Sequence, residues 1–148
     1  KKINYKGKFY FFDVFEGFNY EEALASGDVK WKYSHMTDGK KVVKDRLSKR
    51  YSNIEVIKRN ICEKDSLKEL SQISFANIDV DIYEATLAAL QRVDEKLVIN
   101  GIIVCEDCGH VPCISGAYAA VSEFYYLNKD KYLLLHLESA QALLIKKK

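Results

Sequence analysis

The sequence predicts an α/β fold of three layers, in which a mostly parallel sheet lies between helices. Two short apolar runs, residues 73–78 and 101–105, are rich in β-branched and aromatic residues and contain no charged residue. Such runs are typical of strands that are covered on both faces. Residues 83–93, which join them, place three alanines and Leu90 at helical spacing. A strand, helix, strand unit of this kind makes its two strands parallel.

Further strands are predicted near both ends of the chain. Residues 9–12 form an apolar run that ends at Asp13, and residues 54–58 alternate between apolar and polar residues. The runs 132–137 and 142–145 are separated by four residues, which favours an antiparallel hairpin. The sheet is therefore expected to end in an antiparallel C-terminal hairpin.

Three helices are expected outside the central unit. They are residues 40–49, residues 65–70, and a longer helix that Ser115 caps and that runs to Asn128. Their expected apolar residues are Val42, Val43 and Leu47 in the first, Leu67 and Leu70 in the second, and Ala119, Ala120, Val121 and Phe124 in the third.

Length and composition indicate one domain, residues 1–148, with 48% hydrophobic residues. The net charge of +2 is spread along the chain, which argues against a nucleic-acid partner. No apolar run approaches the ~20 residues of a membrane span, and we expect a cytoplasmic protein without a membrane partner. The four cysteines fit free thiols in a reducing compartment.

Acidic residues follow both central strands. Asp79 and Asp81 come directly after residues 73–78, and Glu106 and Asp107 follow the second strand. Because parallel strands end at the same edge of a sheet, these carboxylates are expected to lie close together. Clustered carboxylates repel one another unless a proton or a cation lies among them, which predicts a magnesium site.

The cysteines offer an alternative metal site. Cys105, Cys108, His110 and Cys113 lie within nine residues, and zinc could use such a set. We do not favour this site, because Cys105 falls inside an apolar strand. His35 and His136 are expected to be surface or packing residues, and His110 lies beside the carboxylates.

Four stretches together resemble the macrocin O-methyltransferase family. They are residues 12–18, with the sequence Phe-Asp-Val-Phe-Glu-Gly-Phe, and residues 77–86, 100–110 and 116–124. The order of the motifs is kept over most of the chain. The resemblance implies a Rossmann-like methyltransferase fold and an enzyme that depends on S-adenosylmethionine and Mg²⁺. It also implies methylation of a hydroxyl on a small, carbohydrate-like acceptor.

The resemblance implies a role for each acidic residue. Asp79, Glu106 and Asp107 would hold the metal ion, Asp81 would be the general base, and Asp13 would lie at the ribose of the cofactor. Glu106 stands where the family usually has aspartate, which lengthens one ligand arm.

The family's first strand and glycine-rich turn have no counterpart before Lys1. We therefore expect a C-terminal part of a longer enzyme, or a remnant of one. In that case a strand edge is left open, a second copy could cover it, and the chain alone would bind S-adenosylmethionine weakly or not at all. Two alternatives stay open: a nucleotide-sugar glycosyltransferase, with the metal on Asp79 and Asp81, and a degenerate subunit without catalytic activity.

Overall fold

The computed structural model describes residues 7–36, 39–109 and 115–148. Within these ranges the chain forms six strands, four α-helices and one 3₁₀ turn. The strands are β1 (Phe9–Asp13), β2 (Ile54–Lys58), β3 (Ile73–Ile78), β4 (Leu97–Cys105), β5 (Tyr132–His136) and β6 (Ala142–Lys146). The α-helices are α1 (Glu21–Ala25), α2 (Lys40–Ser48), α3 (Tyr83–Asp94) and α4 (Gly116–Asn128), and the 3₁₀ turn is Val29–Trp31.

The central unit of β3, α3 and β4 is confirmed. β3 and β4 are neighbours and run parallel, with Ile78 paired to Cys105 at their carboxyl ends. The hairpin is confirmed as well, since β5 and β6 are antiparallel and β5 is the outer strand of the order β3-β4-β6-β5. Residues 79 and 106 therefore leave the sheet side by side.

The strands β1 and β2 form a separate parallel pair. Among the described residues, β1 pairs only with β2, and β3 pairs only with β4. The expectation that residues 73–78 are covered on both faces is wrong, because Phe75 is 59% exposed. Phe9 and Phe11 of β1 are also exposed, so both strands carry apolar surface that the described residues leave uncovered.

The main core lies between the four-stranded sheet and the helices α3 and α4. It contains alternate residues of the strands, such as Ile103 and Leu144, and the buried stripes of the helices, such as Leu90 and Val121. Tyr132 is fully buried there, and its hydroxyl donates to Asp94 at 2.7 Å. A buried hydroxyl with a partner is stable in a core, so this contact joins the hairpin to the end of α3.

Four local predictions are wrong. Residues 65–70 form turns instead of a helix, although Leu67 is buried as expected. Ala119 is exposed, and Ser115 stands at the N-cap position of α4 without a capping hydrogen bond from its side chain. β4 also begins earlier than expected, at Leu97, because a bulge shifts its register against β3.

None of the described helices is long and apolar enough to cross a membrane.

Candidate active site

The turn after β3 carries Asp79 and Asp81. Asp81 has a φ of 59°, and the Ile82 N–H donates to the Val80 carbonyl at 2.6 Å across it. This is a γ-turn with a left-handed central residue, which is a strained conformation for any residue with a Cβ. Ile82 is fully buried, so the turn is anchored directly after the strained residue.

The turn after β4 carries Glu106 and Asp107. The Glu106 N–H donates to the Ile78 carbonyl at 2.9 Å, which extends the pairing of the two strands by one residue. Asp107 also has a positive φ, of 56°. Thus two adjacent turns each hold an aspartate in a left-handed backbone conformation, and both turns lie at the same edge of the sheet.

Three carboxylates meet at this edge. One oxygen each from Asp79, Asp81 and Asp107 lies within 4.8 Å of the other two. Asp79 is exposed, whereas Asp81 and Asp107 are half-buried. We call these three residues the acidic cluster. The Glu106 carboxylate is engaged elsewhere, because Gln141 donates a hydrogen bond to it at 2.7 Å.

The electrostatics of the acidic cluster favour a bound cation. Burial, a hydrogen bond with Asp107 and the charges of nearby aspartates raise the pKa of Asp81 to about 7. Loss of hydration and the charges of Asp107 and Glu106 raise the pKa of Asp79, while His35 acts in the opposite direction. Neighbouring carboxyl groups repel one another when all of them are ionised. A divalent cation among them offsets this repulsion and stabilises the ionised form.

His35 is a residue whose position near the site the sequence did not reveal. Its ring packs against Trp31 at 4.8 Å and Phe18 at 5.4 Å, and its charge acts on Asp79. The sequence predicted a packing role for His35, but it did not predict that His35 lies near Asp79. The residue in the sequence that could have indicated this position is Gly17. Its φ is 61°, and a Cβ there would lie 2.1 Å from the Ser34 carbonyl oxygen. The glycine thus lets the chain just before His35 approach closely.

Asp13, the predicted cofactor residue, lies at the carboxyl end of β1 and is exposed. One of its carboxylate oxygens accepts a hydrogen bond from the Phe15 N–H at 2.6 Å, where the chain turns with a positive φ at Phe15. Asp13 is not a member of the acidic cluster, and its proposed contact with the ribose stays a prediction.

The two described members of the cysteine set, Cys105 and Cys108, do not form a zinc site. Cys105 is fully buried in β4, and Cys108 donates a hydrogen bond to the Glu106 carbonyl at 3.3 Å. Burial raises the pKa of Cys108 to about 11, which favours the thiol over the thiolate that zinc binds. His110 and Cys113 lie outside the described residues.

The chain is similar in fold to solved structures of O-methyltransferases. The O-methyltransferase NovP has a TM-score of 0.78 and 14% sequence identity, over 98% of this chain and 62% of NovP. The calicheamicin methyltransferase CalS11 has a TM-score of 0.67 and 19% identity, over 93% of this chain and 60% of CalS11. An apo structure of CalS11 is described as a TDP-rhamnose 3'-O-methyltransferase; it gives a TM-score of 0.61 at 18% identity, over 93% of this chain and 58% of that one.

The fold is that of the Rossmann-like methyltransferases. No protein-family model and no curated protein sequence matches the chain. The chain spans about three fifths of the length of NovP and CalS11. The likeness establishes the architecture, and the chemistry has to be argued from the residues at the sheet edge.

Proposed function

We propose that this chain is part of an S-adenosylmethionine-dependent and Mg²⁺-dependent O-methyltransferase that acts on a hydroxyl of a sugar-like small molecule. One observation carries the proposal: the acidic cluster lies at the carboxyl ends of two adjacent parallel strands. In open α/β sheets this edge is where ligands bind. The likeness to the sugar-modifying enzyme CalS11 supports the acceptor class, as does the resemblance to the macrocin O-methyltransferase family.

The residues present fit a magnesium ion. Mg²⁺ prefers oxygen ligands and commonly uses one or two carboxylates together with water. Asp79 and Asp107 would hold it, with Glu106 near enough for its charge to act on Asp79. When bound, Mg²⁺ lowers the pKa of a nearby hydroxyl. The cluster thus supplies both the charge and the donor type that such a site needs.

Asp81 is the proposed general base. Without a cation, burial and the neighbouring carboxylates raise its pKa to about 7. Its carboxylate lies beside those of Asp79 and Asp107, where it could accept the proton of a bound hydroxyl. The hydroxyl proton passes to Asp81 while the acceptor oxygen forms its bond to the methyl carbon. The methyl group would come from S-adenosylmethionine, which would leave as S-adenosylhomocysteine when the bond between sulfur and the methyl carbon breaks. The remaining work of the site is to align the reactants.

Cofactor binding is proposed for the region around β1, with Asp13 at the ribose. Within the described residues, β1 and β3 each have one neighbouring strand, which supports the proposal that a further strand pairs beside them, from the rest of a longer protein or from a second copy in a homo-oligomer. For that reason we expect this chain alone to bind the cofactor weakly.

Ligand-observed NMR can test the proposal, because saturation transfer detects weak binding. In the presence of Mg²⁺ we expect a signal from S-adenosylhomocysteine and none from a uridine sugar diphosphate. Asp13→Ala should reduce the S-adenosylhomocysteine signal, while Asp45→Asn on the exposed face of α2 serves as the matched control. A signal from the sugar nucleotide alone would favour the glycosyltransferase, and no signal from either ligand would favour the degenerate subunit.

A further inference from the structure

Helix α3 begins directly after the strained Asp81 turn, but its own N-terminus lacks a local cap. The N-cap residue is Ile82, which has no side-chain acceptor. An α-helix leaves its first four N–H groups without partners inside the helix, and isoleucine is among the poorest N-cap residues. The helix therefore needs an acceptor from elsewhere in the chain.

Asp28 provides that acceptor from a distant segment. Its Oδ2 accepts a hydrogen bond from the Tyr83 N–H at 3.0 Å, across 55 residues of sequence. Asp28 is itself held, because its N–H donates to the Oγ of the buried Ser26 and its carbonyl accepts from the Trp31 N–H. A carboxylate at this position also complements the positive end of the helix dipole.

Gly116, the first residue of α4, leaves room for this contact. A Cβ at position 116 would lie 2.0 Å from Asp28 Oδ2 and 2.7 Å from the Tyr83 nitrogen. Both distances are shorter than any real contact of a Cβ, so a side chain there would displace the carboxylate. Alanine is otherwise the better helix former, so the steric effect and the helix propensity oppose each other at this position.

We propose that Asp28 is a positioning residue of the candidate active site. Its carboxylate caps α3 and fixes the turn after β3, which carries the proposed metal ligand Asp79 as well as Asp81. Gly116 gives the carboxylate the space to do so. This inference rests on the proposed function, since the turn matters for catalysis only if the acidic cluster holds a cation. Strained backbone persists only where the surrounding structure determines it, and the bond from the Tyr83 N–H to Asp28 is one such contact, two residues after Asp81.

Mn²⁺ is the probe for the test, with the affinity of the 148-residue chain measured by calorimetry. Loss of a residue that orients a metal ligand costs ~10–100-fold in affinity, and we expect that loss for Asp28→Ala and Gly116→Ala. Asp28→Asn keeps an oxygen acceptor without the charge and should stay within about threefold of the wild type. Gly27→Ala is the matched control, since a Cβ there meets nothing within 4 Å.

Two further measurements separate positioning from general stability. Tyr132→Phe removes a core hydrogen bond far from the cluster, so it should lower stability and leave the Mn²⁺ affinity unchanged. Hydrogen exchange of the Tyr83 amide should become at least about tenfold faster in Asp28→Ala and in Gly116→Ala, because its acceptor is lost or displaced.

Each outcome decides one of the two proposals. Wild-type Mn²⁺ affinity in Asp28→Ala, or an Asp28→Asn variant as weak as Asp28→Ala, would overturn the positioning role. If the wild type itself binds no Mn²⁺, the proposed metal-dependent function fails. The cap is then judged by Tyr83 exchange alone: faster exchange in both variants supports it, and unchanged exchange overturns it.

Discussion

Two aspartate centres at opposite ends of the central sheet have opposite electrostatics. At the hairpin, Asp94 accepts a hydrogen bond from Tyr132 and forms an ion pair with Lys146 at 3.0 Å. At the acidic cluster, no ion pair between described residues joins a lysine or an arginine to Asp79, Asp81 or Asp107. Within the described residues, lysines pair with Asp94, and no lysine or arginine forms an ion pair with the acidic cluster.

The pKa values follow from that difference. Burial alone would raise the pKa of Asp94, but the hydrogen bonds from Tyr132 and Lys146 outweigh it and lower the pKa below its usual value. The pKa of Asp81 is instead raised to about 7, because burial and its neighbouring carboxylates act together. A carboxylate group that the fold leaves uncompensated is typical of a functional site, whereas a compensated one is typical of a structural contact.

The largest expected difference concerns metal binding. Asp79→Ala should remove the rise in melting temperature that millimolar Mg²⁺ gives to the wild type, since a ligand that binds only the folded state stabilises it. Asp94→Ala should lower the melting temperature but keep the full Mg²⁺ response. Thermal unfolding with and without Mg²⁺ measures both, and equal Mg²⁺ responses in the two variants would remove Asp79 from the metal site.

The next effect concerns turnover. Asp81→Asn should leave metal binding largely intact and reduce methyl transfer by ~10²–10⁴-fold, because the amide cannot accept the hydroxyl proton. The measurement is single-turnover methyl transfer, on a form of the protein that binds S-adenosylmethionine, with Asp45→Asn as the control. Undiminished turnover at neutral pH would exclude Asp81 as the base.

A smaller effect is expected at the hairpin. Tyr132→Phe leaves Asp94 half-buried with one donor fewer, and should lower the free energy of unfolding by about 1–3 kcal/mol. Urea unfolding measures the change, and the exposed Tyr126→Phe is a matched control that should alter stability by less than ~0.5 kcal/mol. Equal effects of the two substitutions would show that the contact between Tyr132 and Asp94 is not stabilising.

Two opposite pH dependences of stability are also expected. The raised pKa of Asp81 means that the folded protein binds a proton more tightly than the unfolded chain, so stability falls as pH rises from about 4 to about 7. The lowered pKa of Asp94 gives the reverse: its contribution is present above its unfolded pKa and is lost as pH falls through the folded value.

Urea unfolding between pH 3 and 8, without divalent cations, separates the two pH dependences. Asp81→Asn should remove the pH dependence of stability in the upper part of this range only. Asp94→Asn should remove it in the lower part only. If neither substitution changes the pH dependence of stability, the pKa values of Asp81 and Asp94 are not shifted in opposite directions.

Much of the fold could be predicted from local patterns. β3, α3 and β4 were recognisable because apolar runs and a helical alternation follow one another, and their parallel order placed Asp79 and Asp107 at one edge. The exposure of Phe75 could not be predicted, because a run of apolar residues does not say whether a strand has one neighbour or two.

The details of the site depended on long-range contacts that leave no periodic signal. Asp107 joins the cluster, whereas the Glu106 carboxylate accepts a hydrogen bond from Gln141, which lies 35 residues further along the chain. Asp28 and His35 reach the site from an irregular segment, where neither helical nor strand spacing marks a residue. Gly17 and Gly116 were the only local hints, and their meaning depends on atoms that are distant in sequence.

Line broadening by Mn²⁺ in amide NMR spectra tests the central claim most directly, because it locates the cation. At substoichiometric Mn²⁺, we predict that the amide signals of residues 79–83 and 106–108 disappear, while those around Asp94 and Tyr132 remain sharp. Broadening around Asp94 instead, or sharp signals throughout at millimolar Mn²⁺, would contradict the assignment of the acidic cluster as a divalent cation site.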